Sequence, residues 1–195
     1  MKLVVVTMPT PVESECELIE LLLREGVDCV HYRKPEMPAK AMQAGLERIA
    51  PSLRSRLTLH DNFELAGMVG GIHLNSRNRD VPQGFGGRIS TSCHSLDELR
   101  LIPNNYDYVF LSPIFDSVSK QGYKSAFTIE SLRAGAAQGL IGERTYALGG
   151  VGCDNINIIK QIGFGGVAVL GNVWQYSSDR ATFVSHIRKL LAMMK

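Results

Sequence analysis

Short apolar runs rich in Val, Ile and Leu recur along this chain, and most are followed by an amphipathic stretch. This alternation constrains the fold more than any other feature. The runs are residues 3–7, 27–32, 57–60, 71–74, 88–92, 108–112, 145–148 and 166–170. After the first, Leu18, Ile19, Leu22 and Leu23 fall at helical spacing, and Gly26 stands where a left-handed cap ends a helix. Strands alternating with helices pair in parallel, because each crossover helix returns the chain to the same end of the sheet. Eight units in 195 residues average about 24 residues each, compact but sufficient for a single (β/α)8 TIM barrel. The competing α/β architecture is an open doubly wound sheet, typically of about five or six strands. Its first turn often carries GxGxxG, and none follows residues 3–7.

Helix signals fill the intervals. Ser95 with Glu98 three residues on is a capping-box signature. Asp154 is positioned to cap a helix through Ile162, and helices are expected over 39–53, 128–137 and 180–193. Residues 75–87, rich in Gly and Arg, read as a loop too short to separate domains. Residues 1–195 are therefore read as one barrel domain.

Composition narrows the partners. The net charge is +2 and the pI about 8.4, and Lys and Arg form no stripe along an expected helix. A nucleic-acid partner is not expected, and an anionic ligand must be held by a few placed groups. Cys16, Cys29, Cys93 and Cys153 include no CxxC pair, and no His lies at zinc-ligand spacing from them. They read as reduced thiols of a cytoplasmic protein. The opening MKLVVVTMPTP is too short for a signal core, and no run approaches the roughly 18 apolar residues of a membrane span. No membrane partner is expected.

In such a barrel the chemistry sits at the C-terminal ends of the strands. His31, His60, His73 and His94, four of the five histidines, all fall there. Each reads equally well as a hydrogen-bonded core residue, His73 most readily; His186, on the last helix, reads as surface. Arg33 directly follows the second run, where a guanidinium suits bidentate phosphate contact. An interior salt bridge to Asp61 is the structural alternative. Asp61 is a candidate Mg²⁺ ligand, and also a candidate N-cap for Phe63 to Ala66. Ser117, Ser119 and Lys120 form a hydroxyl-rich loop ending in a cation, suited to phosphate or pyrophosphate oxygens or simply solvated. Gly149, Gly150 and Gly171 follow the seventh and eighth runs, where barrels bind phosphate through backbone N–H groups. Their alternative role is only to turn the chain.

Seven blocks in order resemble the thiamine phosphate synthase / TenI family along nearly the whole chain: VHYRKP, LHDNFELAG, GIHLN, STSCHSLDEL, DYVFLSPIFDSVSKQG, YALGGV and GFGGVAVLGNV. The strongest, DYVFLSPIFDSVSK, is similar to the family's apolar strand followed by Gly-Pro-Ile-Phe/Tyr and Thr-x-Thr-Lys. The resemblance implies a transferase of thiamine biosynthesis. It would join hydroxymethylpyrimidine pyrophosphate to a thiazole phosphate by a dissociative route and release pyrophosphate. On this resemblance Arg33 and Lys120 match the pyrophosphate-binding arginine and lysine, and Ser92 matches the serine at the pyrimidine site. Ser117 and Ser119 match threonines near the thiazole phosphate. Gly149, Gly150, Leu170 and Gly171 match the backbone phosphate cradle, and Asp61 matches one Mg²⁺ aspartate. The implied partners are small phosphorylated pyrimidine and thiazole substrates, with a homodimer as the oligomeric expectation.

The chain departs from the family pattern in three places. Gln-x-Arg-x-Lys reads His31-Tyr32-Arg33-Lys34-Pro35, which puts His31 and Lys34 among the substrate groups and displaces the lysine by one residue. His60 replaces the asparagine that holds the aminopyrimidine. Asn78 stands at the second metal aspartate, so the Mg²⁺ site loses a charge. His31 and the SCHSLDEL block lean toward the TenI branch, a thiazole tautomerase on the same barrel. That branch's catalytic histidine falls on Pro113, and His60 or His94 would have to serve as acid and base. A non-catalytic binder of phosphate ligands is the third alternative.

Overall fold

The computed structural model describes residues 1–116, 125 and 127–195. Among these the strands are β1 (Lys2–Val6), β2 (Cys29–Tyr32), β3 (Leu57–Leu59), β4 (Gly71–His73), β5 (Arg88–Cys93), β6 (Tyr108–Leu111), β7 (Thr145–Leu148) and β8 (Gly166–Val169). They form one closed barrel in sequential order. β8 returns to β1 in parallel, from Lys2 beside Gly166 to Val5 beside Val169. The helices are α1 (Glu15–Glu25), α2 (Ala39–Glu47), α3 (Pro51–Arg54), α4 (Leu96–Leu101), α5 (Ile129–Ala137), α6 (Ile156–Ile162), α7 (Gly171–Trp174) and α8 (Arg180–Met194). The open-sheet alternative is thereby set aside.

The apolar runs are nearly continuous because most strands are buried on both faces, β5 and β7 less fully than the rest. Leu3, Val5, Val30, Leu57, Leu59, Leu111 and Val167 point outward beneath the helices. Val4, Val6, Cys29, Tyr108, Phe110 and Ala168 point inward and form their own cluster. The interior is not uniformly apolar. His31, Thr58, His60, His73 and Ser90, from β2 to β5 and the residue after β3, are all buried.

Three expected helix features are revised. The helix expected over 39–53 is two, since Pro51 has no N–H to continue α2 and instead opens α3 at its first position. Asn155, not Asp154, is the N-cap of α6. Its side chain turns back to bond Gly152 N and Gly150 O rather than the helix. Ser95 does accept from Glu98 N at 3.0 Å, but the Glu98 carboxylate takes the N–H of His94 instead of closing the box on Ser95. At the mouth, Trp174 of α7 donates its indole N–H to Val6 O at 2.8 Å, which ties α7 to the end of β1.

Candidate active site

The C-terminal end of the barrel gathers three histidines from successive strands. His31 sits in β2, His73 ends β4, and His60 directly follows β3. His31 Nδ1 lies 2.8 Å from His60 Nε2, and His31 Nε2 lies 2.5 Å from Tyr108 Oη across the barrel. His60 stacks on His73 with ring centroids 4.2 Å apart. His73 Nδ1 is 2.9 Å from Ser90 Oγ, and its Nε2 is 2.9 Å from Ser92 Oγ. Phe110 closes the group, against His31 on one side and His73 on the other. Burial holds His31 and His60 well below the usual histidine range, and pushes His73 down to about 3, with Arg33 adding to the effect. Burial likewise pushes the Tyr108 phenol well up.

Two cations face this cluster. Arg33 and Arg77 both bear electrostatically on His60, and Arg33 also bears on His73. The backbone of Arg33 is fixed by Thr7, whose hydroxyl bonds both its N–H and its carbonyl. Its guanidinium has no ion-pair partner among the described residues. The alternative reading of Arg33, a salt bridge to Asp61, does not hold. Asp61 Oδ1 is taken by Arg77, at 2.7 Å from Nη2 and 3.2 Å from Nε. Asn75 shapes this loop, accepting from Arg77 N and Asn78 N while donating to His60 O at 2.6 Å. Arg77 and Tyr108 are the two functional candidates that residue-by-residue reading left unassigned. Tyr108 carried a signal: a phenol two residues before Phe110 shares its inward face and needs a polar partner inside the barrel.

Lys34, expected among the substrate groups, is fully buried and faces elsewhere. Its ammonium bonds Met8 O at 2.7 Å, Thr10 O at 2.8 Å and Glu15 Oε1 at 2.6 Å, so all three N–H donors are used. The residue clamps the loop after β1 to β2 and has nothing left for a ligand. His31 is also sealed, with both nitrogens engaged, and lies beneath His60 rather than at the surface of the mouth. Ser92 is at the mouth, on His73. His94 is exposed beyond β5, its Nδ1 3.0 Å from Ser112 O. His186, read as surface, is partly buried and bonds Asn172 Oδ1 at 2.6 Å.

The loops after β7 and β8, expected to cradle phosphate, build the other side of the mouth. Gly149 and Gly150 have φ of +95° and +64°, the left-handed region that other residues avoid. A Cβ on Gly150 would meet Asp116 O at 2.5 Å and Phe115 Cβ at 2.7 Å, so the loop after β6 packs directly on it. Gly171 opens α7, where backbone N–H groups lack intrahelical partners. Leu170 precedes it and packs on the inward-facing cluster through its side chain, which leaves only its backbone to the cradle. Ser117, Ser119 and Lys120 lie outside the described residues.

Two groups of side chains could hold a metal ion. His31, His60 and His73 hold donor atoms within 4.8 Å of one another. However, imidazole lone pairs lie in the ring planes, and the planes of His60 and His73 are only 21° apart in the stack. Near-parallel planes of stacked rings do not converge on one ion, so the trio is a hydrogen-bonded stack. Asp61 is different. Its Oδ2 is buried without a hydrogen-bond partner among the described residues, which a hard cation would relieve. Asn78 points its amide nitrogen, not its carbonyl, at Asp61 Oδ1, 3.3 Å away. The donor set is thus one carboxylate oxygen, which suits Mg²⁺ when water and substrate phosphates complete its shell.

The chain matches the TMP-TENI family, described as thiamine monophosphate synthase, over residues 3–173. The putative thiamine-phosphate synthase of Geobacter sulfurreducens is 26% identical over 188 residues, covering 91% of this chain and 85% of that protein. The thiamine-phosphate synthase of Thermus thermophilus is 26% identical over 174 residues, covering 83% and 84%. The crystal structure of a thiamine phosphate pyrophosphorylase from Bacteroides thetaiotaomicron superposes with a TM-score of 0.89 at 38% identity, over 99% of this chain and 97% of that one. The thiamine phosphate pyrophosphorylase of Pyrococcus furiosus shares the fold, with a TM-score of 0.75 at 20% identity over 99% and 95%.

Proposed function

The chain belongs to the TMP-TENI (thiamine monophosphate synthase) family, and from that premise we propose that it is a transferase of this type. It joins hydroxymethylpyrimidine pyrophosphate to a thiazole phosphate and releases pyrophosphate. The observation that carries the reading is Arg33, a guanidinium at the barrel mouth without an ion-pair partner among the described residues and close enough to bear on His60 and His73. A cation so placed is suited to a leaving group that gains negative charge.

In a dissociative transfer the C–O bond to pyrophosphate breaks first, and its electron pair leaves with the pyrophosphate oxygen. The thiazole nitrogen then forms the new C–N bond. Preorganised cations stabilise the charge that develops on the leaving group. Arg33 supplies one, and Lys120 a second on the family resemblance. Asp61 Oδ2 would hold Mg²⁺, which when bound neutralises phosphate oxygens. Ser92 serves the pyrimidine. Gly149, Gly150 and the backbone at Leu170 and Gly171 hold the thiazole phosphate, with Ser117 and Ser119 adding hydroxyls.

The alternative tautomerase chemistry needs a side chain that exchanges protons near neutral pH. Burial keeps His31, His60 and His73 from that role, which leaves His94, exposed beyond β5, as the tautomerase's acid–base candidate. The test is incubation with both substrates and Mg²⁺. Thiamine phosphate should form at a rate that Lys120→Ala abolishes. If the wild type forms no more product than that variant, the proposal is wrong.

A further inference from the structure

We infer that Tyr108 and His31 are positioning residues for His60: a directed hydrogen-bond chain across the barrel fixes the His60 proton on Nδ1, so that His60 meets the ligand as a donor to an anionic oxygen. The anionic ligand rests on the transferase reading, where it is pyrophosphate. The chain itself does not.

The direction follows from acid–base chemistry. One proton joins Tyr108 Oη to His31 Nε2, and one joins His31 Nδ1 to His60 Nε2. A phenol is the stronger acid and the weaker acceptor, and an imidazole nitrogen is the stronger acceptor. Tyr108 therefore donates to His31 Nε2. An imidazole that accepts at Nε2 carries its proton on Nδ1. His31 must then donate to His60 Nε2, and His60 in turn carries its proton on Nδ1.

The stack on His73 fixes the plane of the His60 ring, while the chain fixes its proton. The outer nitrogen is left for the ligand. His60 Nδ1 has no partner among the described residues. It is also not sealed: the one buried unpartnered side-chain polar atom among them is Asp61 Oδ2. Arg33, whose backbone is held by Thr7 at the end of β2 and whose guanidinium has no ion-pair partner among the described residues, bears on His60, so the group drawn toward its N–H is an anion. A neutral imidazole donating in a barrel active site has precedent in triosephosphate isomerase, where it polarises a carbonyl.

The experiment is long-range ¹H–¹⁵N correlation on protein labelled at histidine. His31 and His60 should both report the Nδ1–H tautomer. Inorganic pyrophosphate should displace the His60 Nδ1 resonance and leave that of His73 in place. Tyr108→Phe should turn both tautomers into mixtures and weaken pyrophosphate binding about twofold, because only part of His60 then carries its proton on Nδ1. His60→Ala should weaken it about tenfold, the loss of one hydrogen bond to a charged group, and His60→Asn, which keeps an N–H donor, should restore most of it. Tyr108→Phe should add nothing in the His60→Ala background.

A His60 proton on Nε2 in the wild type, or additive losses in the double variant, overturns the chain. Wild-type protein that binds no pyrophosphate fails the transferase reading and the anionic ligand with it. The tautomers then still decide whether Tyr108 directs His60.

Discussion

His60 and His73 lie face to face at the barrel mouth, 4.2 Å between ring centroids, with no carboxylate bonded to either ring among the described residues. Together with His31 they are imidazoles that the fold keeps uncharged. Unfolded, each would take up a proton near pH 6.5. Folded, each does so only at lower pH, about 3 for His73. Between those limits the unfolded chain binds more protons, so stability is full above about pH 6.5 and falls as the pH drops. Each histidine removes about 1.4 kcal/mol per pH unit in that window. Urea unfolding at pH 7.5 and 5.5 should show the loss, and His73→Gln should make the slope shallower by about one proton. An unfolding midpoint independent of pH would contradict this.

Arg33→Ala should cut thiamine phosphate formation by about 100-fold, the usual cost of removing one group that stabilises developing charge. The melting temperature should hardly move, because the guanidinium has no ion-pair partner among the described residues. Kinetics and a thermal melt on one sample check both halves. An unchanged rate would take Arg33 out of the site.

Lys34 separates structure from catalysis. Lys34→Ala leaves Glu15 buried beside two carbonyls that have lost their donor, at a cost of about 3–5 kcal/mol. Lys34→Met with Glu15→Leu removes both charges and should recover most of that stability. The double variant should still bind pyrophosphate like the wild type. If calorimetry finds that binding lost in a folded double variant, Lys34 is a ligand group after all.

Asp61 should govern the response to Mg²⁺. Asp61→Asn keeps the shape and removes the charge on Oδ2, which has no partner among the described residues. Pyrophosphate binding measured with and without Mg²⁺ should differ in the wild type and converge in the variant. Equal Mg²⁺ enhancement in both proteins would move the ion elsewhere.

Gly150→Ala should destabilise the protein and weaken phosphate binding together. Its φ of +64° and the approach of Asp116 O to 2.5 Å leave no room for a methyl group. The left-handed conformation alone costs about 1 kcal/mol, and displacing backbone adds to it. Gly84→Ala, at a similar φ of +76° with nothing within 4 Å, isolates the conformational part. Equal melting temperatures for the two variants would refute the close-packing argument.

The barrel was legible because most of its strands are buried on both faces and read as apolar runs. Residues that end those runs, such as Arg33, His60 and Asp61, fell at the mouth for the same reason. What stayed hidden were partners set by tertiary register. Asp61 pairs with Arg77 across 16 residues rather than with Arg33, because the loop after β4 folds over β3. Lys34 turns from ligand to clamp because Glu15, in another element, meets it in the interior. The histidine stack needed strand neighbours and ring orientation, neither of which spacing encodes. Pro51 did signal its helix break in one dimension, since proline lacks the donor an α-helix interior requires.

The indole of Trp174 gives the cradle an optical readout. It is the chain's single tryptophan, nearly sealed, bonded to the last carbonyl of β1 and carried on the same short helix as Gly171. An anion seated on that helix changes the electric field along the ring that emits. Intrinsic fluorescence should therefore report occupancy of the proposed phosphate cradle, without a label and apart from events around His60.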